Sequence, residues 1–445
     1  MVVQQQQQQP LRRQPIVLAY AWGRRNAGDH ALTLGALELL RTIVPEEELV
    51  VVSRYRDSSN PDAPDQHITS CFPGVKVFPA PFDMARHGRW RSIIQRLAGL
   101  GFMTRVLLTP PNTLNRLPRL APMAQSRFIL LNGGNLFYWH SLRRNFGRIA
   151  ALAFPLQVAR RLERPYGFLP QTCGELTGKV GQRVGQLFAA SDFCVFRDSI
   201  SLRHVEEVAT LDPERVTVGP DLAFFLSNRG TNVRRLDRTV AVPERFLAVV
   251  LRTAPLGPDV APCLDDPKRT EQQVVDLLPP VLARVVSELQ LAVVFVIQVD
   301  QDNAVTERVR EILAQVYGIS CQKIGLSDPY DFIGLYSQAT CLLSMRLHSG
   351  IFALSQGTPV VALWRRQLGE KIPAMMADLG LQNFSHELSQ TTPDQLASGI
   401  KQAVEMRAKL SSQILTALAV RKAALAAFLK KRLTAEPGDA PGERL

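Results

Sequence analysis

Short apolar runs alternate along this chain with longer stretches in which apolar residues return every three or four positions. Runs at 16–22, 48–53, 75–78, 127–131, 165–169, 193–196 and 216–218 have the length and composition of interior strands. Segments 30–43, 89–108, 146–162, 178–191 and 199–207 have helical periodicity. Strands apolar on both faces need cover on both, so strands alternating with helices predict a doubly wound parallel sheet. Between 227 and 243 the sequence becomes rich in Arg, Asn and Gly and loses its periodicity, which predicts a linker. The alternation then restarts, with strands at 246–251, 292–297, 341–345 and 360–364 and helices at 271–289, 304–316, 331–337 and 349–356. An Ala-, Leu-, Lys- and Arg-rich helical region follows at 392–433, in one or two pieces. The expected architecture is α/β. Two Rossmann-like doubly wound domains, 16–228 and 244–390, face a cleft, with a long C-terminal helical region behind them. Disordered ends are expected at 1–15, where Gln4 to Gln9 form a polar tract, and at 434–445.

Composition narrows the partners. The 445 residues, 46% hydrophobic and 21% charged, suffice for two ordinary cores. No uninterrupted apolar run reaches the roughly 18–20 residues that cross a bilayer; the best, 93–108, is broken by Arg96 and Arg105. The polar N-terminus lacks the apolar core of a secretory signal. A cytoplasmic protein is therefore expected, with the inner face of the membrane as a further location. Six cysteines without CxxC spacing predict reduced core thiols and no metal framework. A net charge of +12 means that some face should attract anions, unless it is simply a solvated basic surface with no specific role. The arginines read as dispersed along the chain, so nucleic acid is not expected. Small phosphorylated substrates and peripheral association with an anionic membrane surface stay open.

Candidate chemistry gathers at strand-to-helix junctions, where ligands of such sheets collect. Arg346 and His348 follow the run 341–345, before a short helix and the Gly357-Thr358-Pro359 break. If extended, residues two apart point the same way. An arginine ending a buried strand needs an anion or solvent, and an imidazole can move protons near neutral pH; a structural Arg–Asp pair and a satisfied core histidine are the alternative reading. Arg252 after 246–251, Lys371 after Trp364-Arg365-Arg366, and Arg197 before Asp198 are further cations at strand ends. Asn26, Gly28 and Asp29 lie in a glycine-bearing loop before the first helix, able to present amides to an anion or merely to cap the helix. Gly133 and Gly134, between Asn132 and Asn135, allow a ligand against the backbone or a tight turn. Neither the GxGxxG fingerprint nor a Walker loop is present at these positions.

Taken in order, these residues resemble the polysaccharide pyruvyl transferase family. Asn26-Ala27-Gly28-Asp29 matches its Asn-x-Gly-Asp loop, and Gly133-Gly134-Asn135 matches its glycine triplet in part. Arg197-Asp198-Ser199, Pro220-Asp221, Arg346-Leu347-His348 and Gly357-Thr358-Pro359 complete the series over about 16–385. The resemblance implies a fold like that of GT-B glycosyltransferases, with the N-terminal domain on the acceptor side and the C-terminal domain on the donor side. It also implies transfer of pyruvate from phosphoenolpyruvate to a glycan or lipid-linked oligosaccharide as a cyclic ketal, without metal or cofactor. On that reading Arg346 and His348 are catalytic, Arg252, Lys371 and Arg197 bind the donor, and the Asn26 and Gly133 loops face the acceptor. A nucleotide-sugar glycosyltransferase is the nearest alternative. A non-catalytic scaffold of a polysaccharide-synthesis assembly, using helix 89–108 and the tail helix at a membrane, is another.

Overall fold

The computed structural model describes residues 14–82, 89–138, 146–229, 242–253 and 266–435, with side chains 89–96 and 146 left aside. Most of the expected linker and both expected disordered ends lie outside the described residues. The first sheet contains β1 (Ile16–Ala21), β2 (Leu49–Ser53), β3 (Lys76–Phe78), β4 (Phe128–Leu131), β5 (Gly134–Phe137), β6 (Tyr166–Cys173), β7 (Phe193–Phe196) and β8 (Val216–Val218). Its order is β3-β2-β1-β4-β6-β7-β8, with β5 also beside β6, and each ladder is parallel. The second contains β9 (Phe246–Val250), β10 (Ala292–Ile297), β11 (Gln322–Gly325), β12 (Cys341–Ser344), β13 (Val360–Trp364) and β14 (Ser385–Glu387). Its order, β11-β10-β9-β12-β13-β14, repeats the same doubly wound plan with parallel ladders throughout.

The period of two along β1 explains the layering. Ile16 and Leu18 enter one apolar cluster and Val17 and Ala19 the other, so both faces of the sheet are covered. The first cluster runs on into the second domain, and helix Arg407–Thr434 joins the two. Its N-terminal Arg407 donates to Ala339 O of the second domain (3.2 Å), and Arg127 of the first domain donates to Leu433 O near its end (2.6 Å). By length and composition this helix could cross a membrane. Its stripe of Leu410, Ile414, Leu418, Leu425, Leu429 and Leu433 is instead buried against the two domains, where each leucine contributes roughly 1.5–3 kcal/mol.

Three strands have no counterpart in the apolar pattern. β11 and β14 are edge strands with polar sequences, and β5 is four residues beside the glycine pair. The strand expected at 165–169 runs four residues further, since β6 continues to Cys173. Pro170 falls where its ladder with β7 shifts register, between Phe168 and Gln171, the sort of irregularity a residue without an N–H tolerates.

Candidate active site

Both sheets change direction beside their first strand, between β1 and β4 and between β9 and β12. The carboxyl ends at these two switch points border one cleft of about 220 Å³.

On the first-domain side, the Asn-x-Gly-Asp segment is the opening turn of helix Ala27–Ile43, which begins three residues earlier than its periodicity predicts. Asn26 is the N-cap. Its side-chain oxygen accepts from Gly28 N (3.1 Å) and its amide donates to Asp29 Oδ2 (3.0 Å). Gln298, at the end of β10, reaches across the cleft and donates to Asn26 Oδ1 (3.2 Å). Gly28 lies directly under His348: a Cβ there would stand 2.3 Å from the ring's Nδ1. The glycine therefore permits close approach of the two domains.

The glycine pair serves the fold. A Cβ on Gly133 would meet Leu222 at 2.6 Å and the Pro170 carbonyl at 2.8 Å, while Gly134 has φ +133° and packs under Trp22. Leu222, the Pro170 carbonyl and Trp22 occupy the space beside them. Asn135, by contrast, lines the cleft and accepts from Arg197 Nη2.

On the second-domain side, Arg346 is the N-cap of helix Leu347–Leu354 and His348 lies in its first turn, so the two do not point together as an extended pair would. Arg346, 8% exposed, grips the fully buried Asp302 with both bonds of a fork, Nε to Oδ2 and Nη2 to Oδ1, each 2.6 Å. Its remaining nitrogen, Nη1, is not engaged by Asp302. His348 approaches Asp221 at 4.0 Å, beyond hydrogen-bond reach, and among the described residues its buried Nε2 has no partner. The buried Nε1 of Trp364, also a cleft residue, likewise has none among the described residues.

Arg197 stands behind this layer. It donates from Nη1 to Asp221, from Nη2 to Asn135 and from Nε to Thr172 Oγ1 (2.8 Å), so its role in the free protein is to order first-domain groups. Lys371 opens helix Lys371–Asp378, with its ammonium 3.8 Å above the Tyr138 ring across the cleft. Among the described residues Lys371 has no salt-bridge partner.

The electrostatics follow from crowding cations away from water. Among the described residues, Arg252, Arg346, Arg365 and Lys371 line the cleft with a single lining carboxylate, Asp29, and Asp302 lies behind Arg346. Burial, then Arg197 and Arg252, pushes Lys371 down to about 7 despite Asp198 and Asp29. Burial, then Arg346, pushes Arg252 down to about 9, against the pull of Asp302 and Asp29. Burial lowers His348, against the pull of Asp221 and Asp29, so the ring is neutral near pH 7. Burial would raise Asp221, but Arg197, His348 and the Ala223 amide outweigh it and hold the carboxyl below its ordinary value. Among the described residues no group of three or more His, Cys, Asp or Glu is arranged to hold a metal ion. Sequence reading passed over Asp302, Gln298 and Trp364. The first sits beside Asp300 at a strand-to-helix junction, a visible signal, whereas the other two lack one.

Two parallel doubly wound sheets around a cation-lined cleft define a GT-B-like enzyme fold. Solved structures agree on that fold. A putative UDP-N-acetylglucosamine 2-epimerase from Listeria monocytogenes aligns with a TM-score of 0.58 at 13% identity, over 95% of this chain and 97% of its own. Alr3699/HepE from Anabaena, in complex with UDP-glucose, aligns at 0.52 and 11% identity, over 94% and 98%. No curated protein matches the sequence. The family profile of polysaccharide pyruvyl transferase matches residues 26–366, and the chain belongs to that family. Membership makes it an enzyme that transfers to a polysaccharide, with a glycan acceptor.

Proposed function

We propose that this protein transfers pyruvate from phosphoenolpyruvate to a sugar of a polysaccharide or its lipid-linked precursor as a cyclic ketal, in exopolysaccharide or cell-surface glycan synthesis. The observation that supports this most is the unpartnered imidazole Nε2 of His348 in a cleft lined by Arg252, Arg346, Arg365 and Lys371. The donor carries a carboxylate and a phosphate on three carbons, and it suits an excess of cations in a cleft of about 220 Å³, small beside ordinary ligand pockets.

Arg346 Nη1, Arg252 and Lys371 would hold the two anionic groups, each charge-assisted bond contributing roughly 1.5–3 kcal/mol. Donor charge favours the imidazolium, so binding would raise the lowered pKa of His348 and load the acid. The proton goes from Nε2 to the methylene carbon, the double-bond electrons form the new C–H bond, and C2 becomes oxocarbenium-like. A sugar hydroxyl adds to C2 and returns its proton to His348. The C2–phosphate bond then breaks, a second hydroxyl adds at the same carbon, and the departing phosphate takes that proton. The product retains a methyl and a carboxylate on the ketal carbon. Asn26 and Asp29, on the opposite wall, would meet the acceptor.

Thermal stabilisation separates donors. Phosphoenolpyruvate at about 100 times its Kd should stabilise the protein by about 2.7 kcal/mol, and donor-dependent phosphate release should appear with a suitable glycan. Stabilisation by a nucleotide sugar and not by phosphoenolpyruvate would overturn the proposal.

A further inference from the structure

Residues 84–162 contain 13 arginines and no Lys, Asp or Glu, so the rest of the chain is within one charge of neutrality. The arginines that read as dispersed are concentrated in one segment of the first domain. Within it, helix Arg89–Leu108 turns Met103 and Val106 toward the domain and leaves Leu97 (64%), Leu100 (44%), Leu107 (47%) and Leu108 (79%) exposed. Beside Leu107, a groove of about 570 Å³ between helices Phe146–Arg161 and Gly178–Ala189 is lined by Ile149, Val180 and Leu187 together with Arg160 and Arg183. None of Arg105, Arg116, Arg160 or Arg183 has an acidic partner among the described residues.

We infer that this face docks on an anionic phospholipid bilayer. Exposed leucines beside uncompensated arginines match an interface of acyl chains under anionic headgroups. A second copy of the chain fits worse, because a two-fold contact would set arginine against arginine. Nucleic acid leaves the leucines without a partner. The tail helix does not share the role, since its leucine stripe is buried on the two domains. The face belongs to the domain whose cleft wall carries Asn26 and Asp29, which would bring the site to lipid-borne substrates.

The full chain should co-sediment with vesicles of phosphatidylcholine plus phosphatidylglycerol, weakly with phosphatidylcholine alone, and less as salt rises. Combining Arg105→Ala, Arg116→Ala and Arg160→Ala should weaken binding about fivefold per arginine, on the order of a hundredfold together. Leu97→Asn with Leu108→Asn should weaken it at an unchanged melting temperature, which shows that the fold is intact. No phosphatidylglycerol-dependent binding at low salt would overturn the inference. So would binding that survives both sets of substitutions, leucine-dependent self-association without vesicles, or preference for a nucleic acid that ignores the leucines. Vesicle binding requires no turnover, so it stands or falls apart from pyruvyl transfer.

Discussion

Replacing Gly28 by alanine separates the helix from the site it opens. Within helix Ala27–Ile43, alanine is a better helix former than glycine by about 0.8–1.0 kcal/mol. Gly28 has no positive φ, so no backbone strain opposes the change. The obstacle is the other domain: the new Cβ would lie 2.3 Å from His348 Nδ1, 2.4 Å from Cγ and 2.6 Å from Cβ, atoms at the rigid base of the side chain. Restoring van der Waals distance moves the imidazole or the helix under it by about 1 Å, and overpacking of this kind costs roughly 1–3 kcal/mol. Net stability should fall by roughly 0–2 kcal/mol. Turnover should fall about 10²-fold, because a 1 Å misplacement of a reacting group is that damaging. Thermal melts and donor-dependent phosphate release measure the two effects. In a His348→Gly background the clash disappears, and Gly28→Ala should then stabilise by about 1 kcal/mol. A Gly28→Ala protein that is both more stable and fully active would refute the close-approach account.

Other consequences follow from the same geometry. Asp302→Ala strands the Arg346 guanidinium in a buried site beside Arg252 and should destabilise by about 3–5 kcal/mol in denaturant melts, whereas Asp302→Leu with Arg346→Met should recover much of that loss. Lys371, pushed down to about 7, loses its charge in the free protein as pH rises through that value. Because only the ammonium attracts the donor, phosphoenolpyruvate affinity should fall above pH 7 by up to tenfold per unit, and Lys371→Arg should flatten the titration profile.

Most of the fold was legible because interior strands of a doubly wound sheet are continuous apolar runs, as at Phe193–Phe196 and Cys341–Ser344. What escaped was set by position in the sheet. Gln322–Gly325 and Ser385–Glu387 are edge strands, half solvated, and need no apolar signature. The strand at 165–169 was expected to stop before Pro170, because the proline's tolerance depends on a register shift with β7 that only the assembled sheet creates. At the site, the cations at strand ends were readable, and Arg252, Arg346 and Lys371 do share one cleft. Their partners were not readable. Asp302 is 44 residues from Arg346 in sequence, and the contact of Gly28 with His348 spans the two domains. Gly133 stayed open between a ligand-facing loop and a tight turn for the same reason, since Leu222, the side chain it accommodates, comes from a distant segment.

In the proposed reaction His348 protonates a phosphoenolpyruvate-derived carbon within the cation-lined cleft. Mass spectrometry of a glycan acceptor after incubation with phosphoenolpyruvate, with inorganic phosphate measured in parallel, tests it most directly. One pyruvate ketal should appear on the acceptor for each phosphate released. His348→Ala should slow both by about 10²- to 10⁴-fold, the usual contribution of a general acid–base group, at an unchanged fold. Ketal formed at the wild-type rate by His348→Ala, or phosphate released by the wild-type protein with no pyruvate on the acceptor, would contradict it.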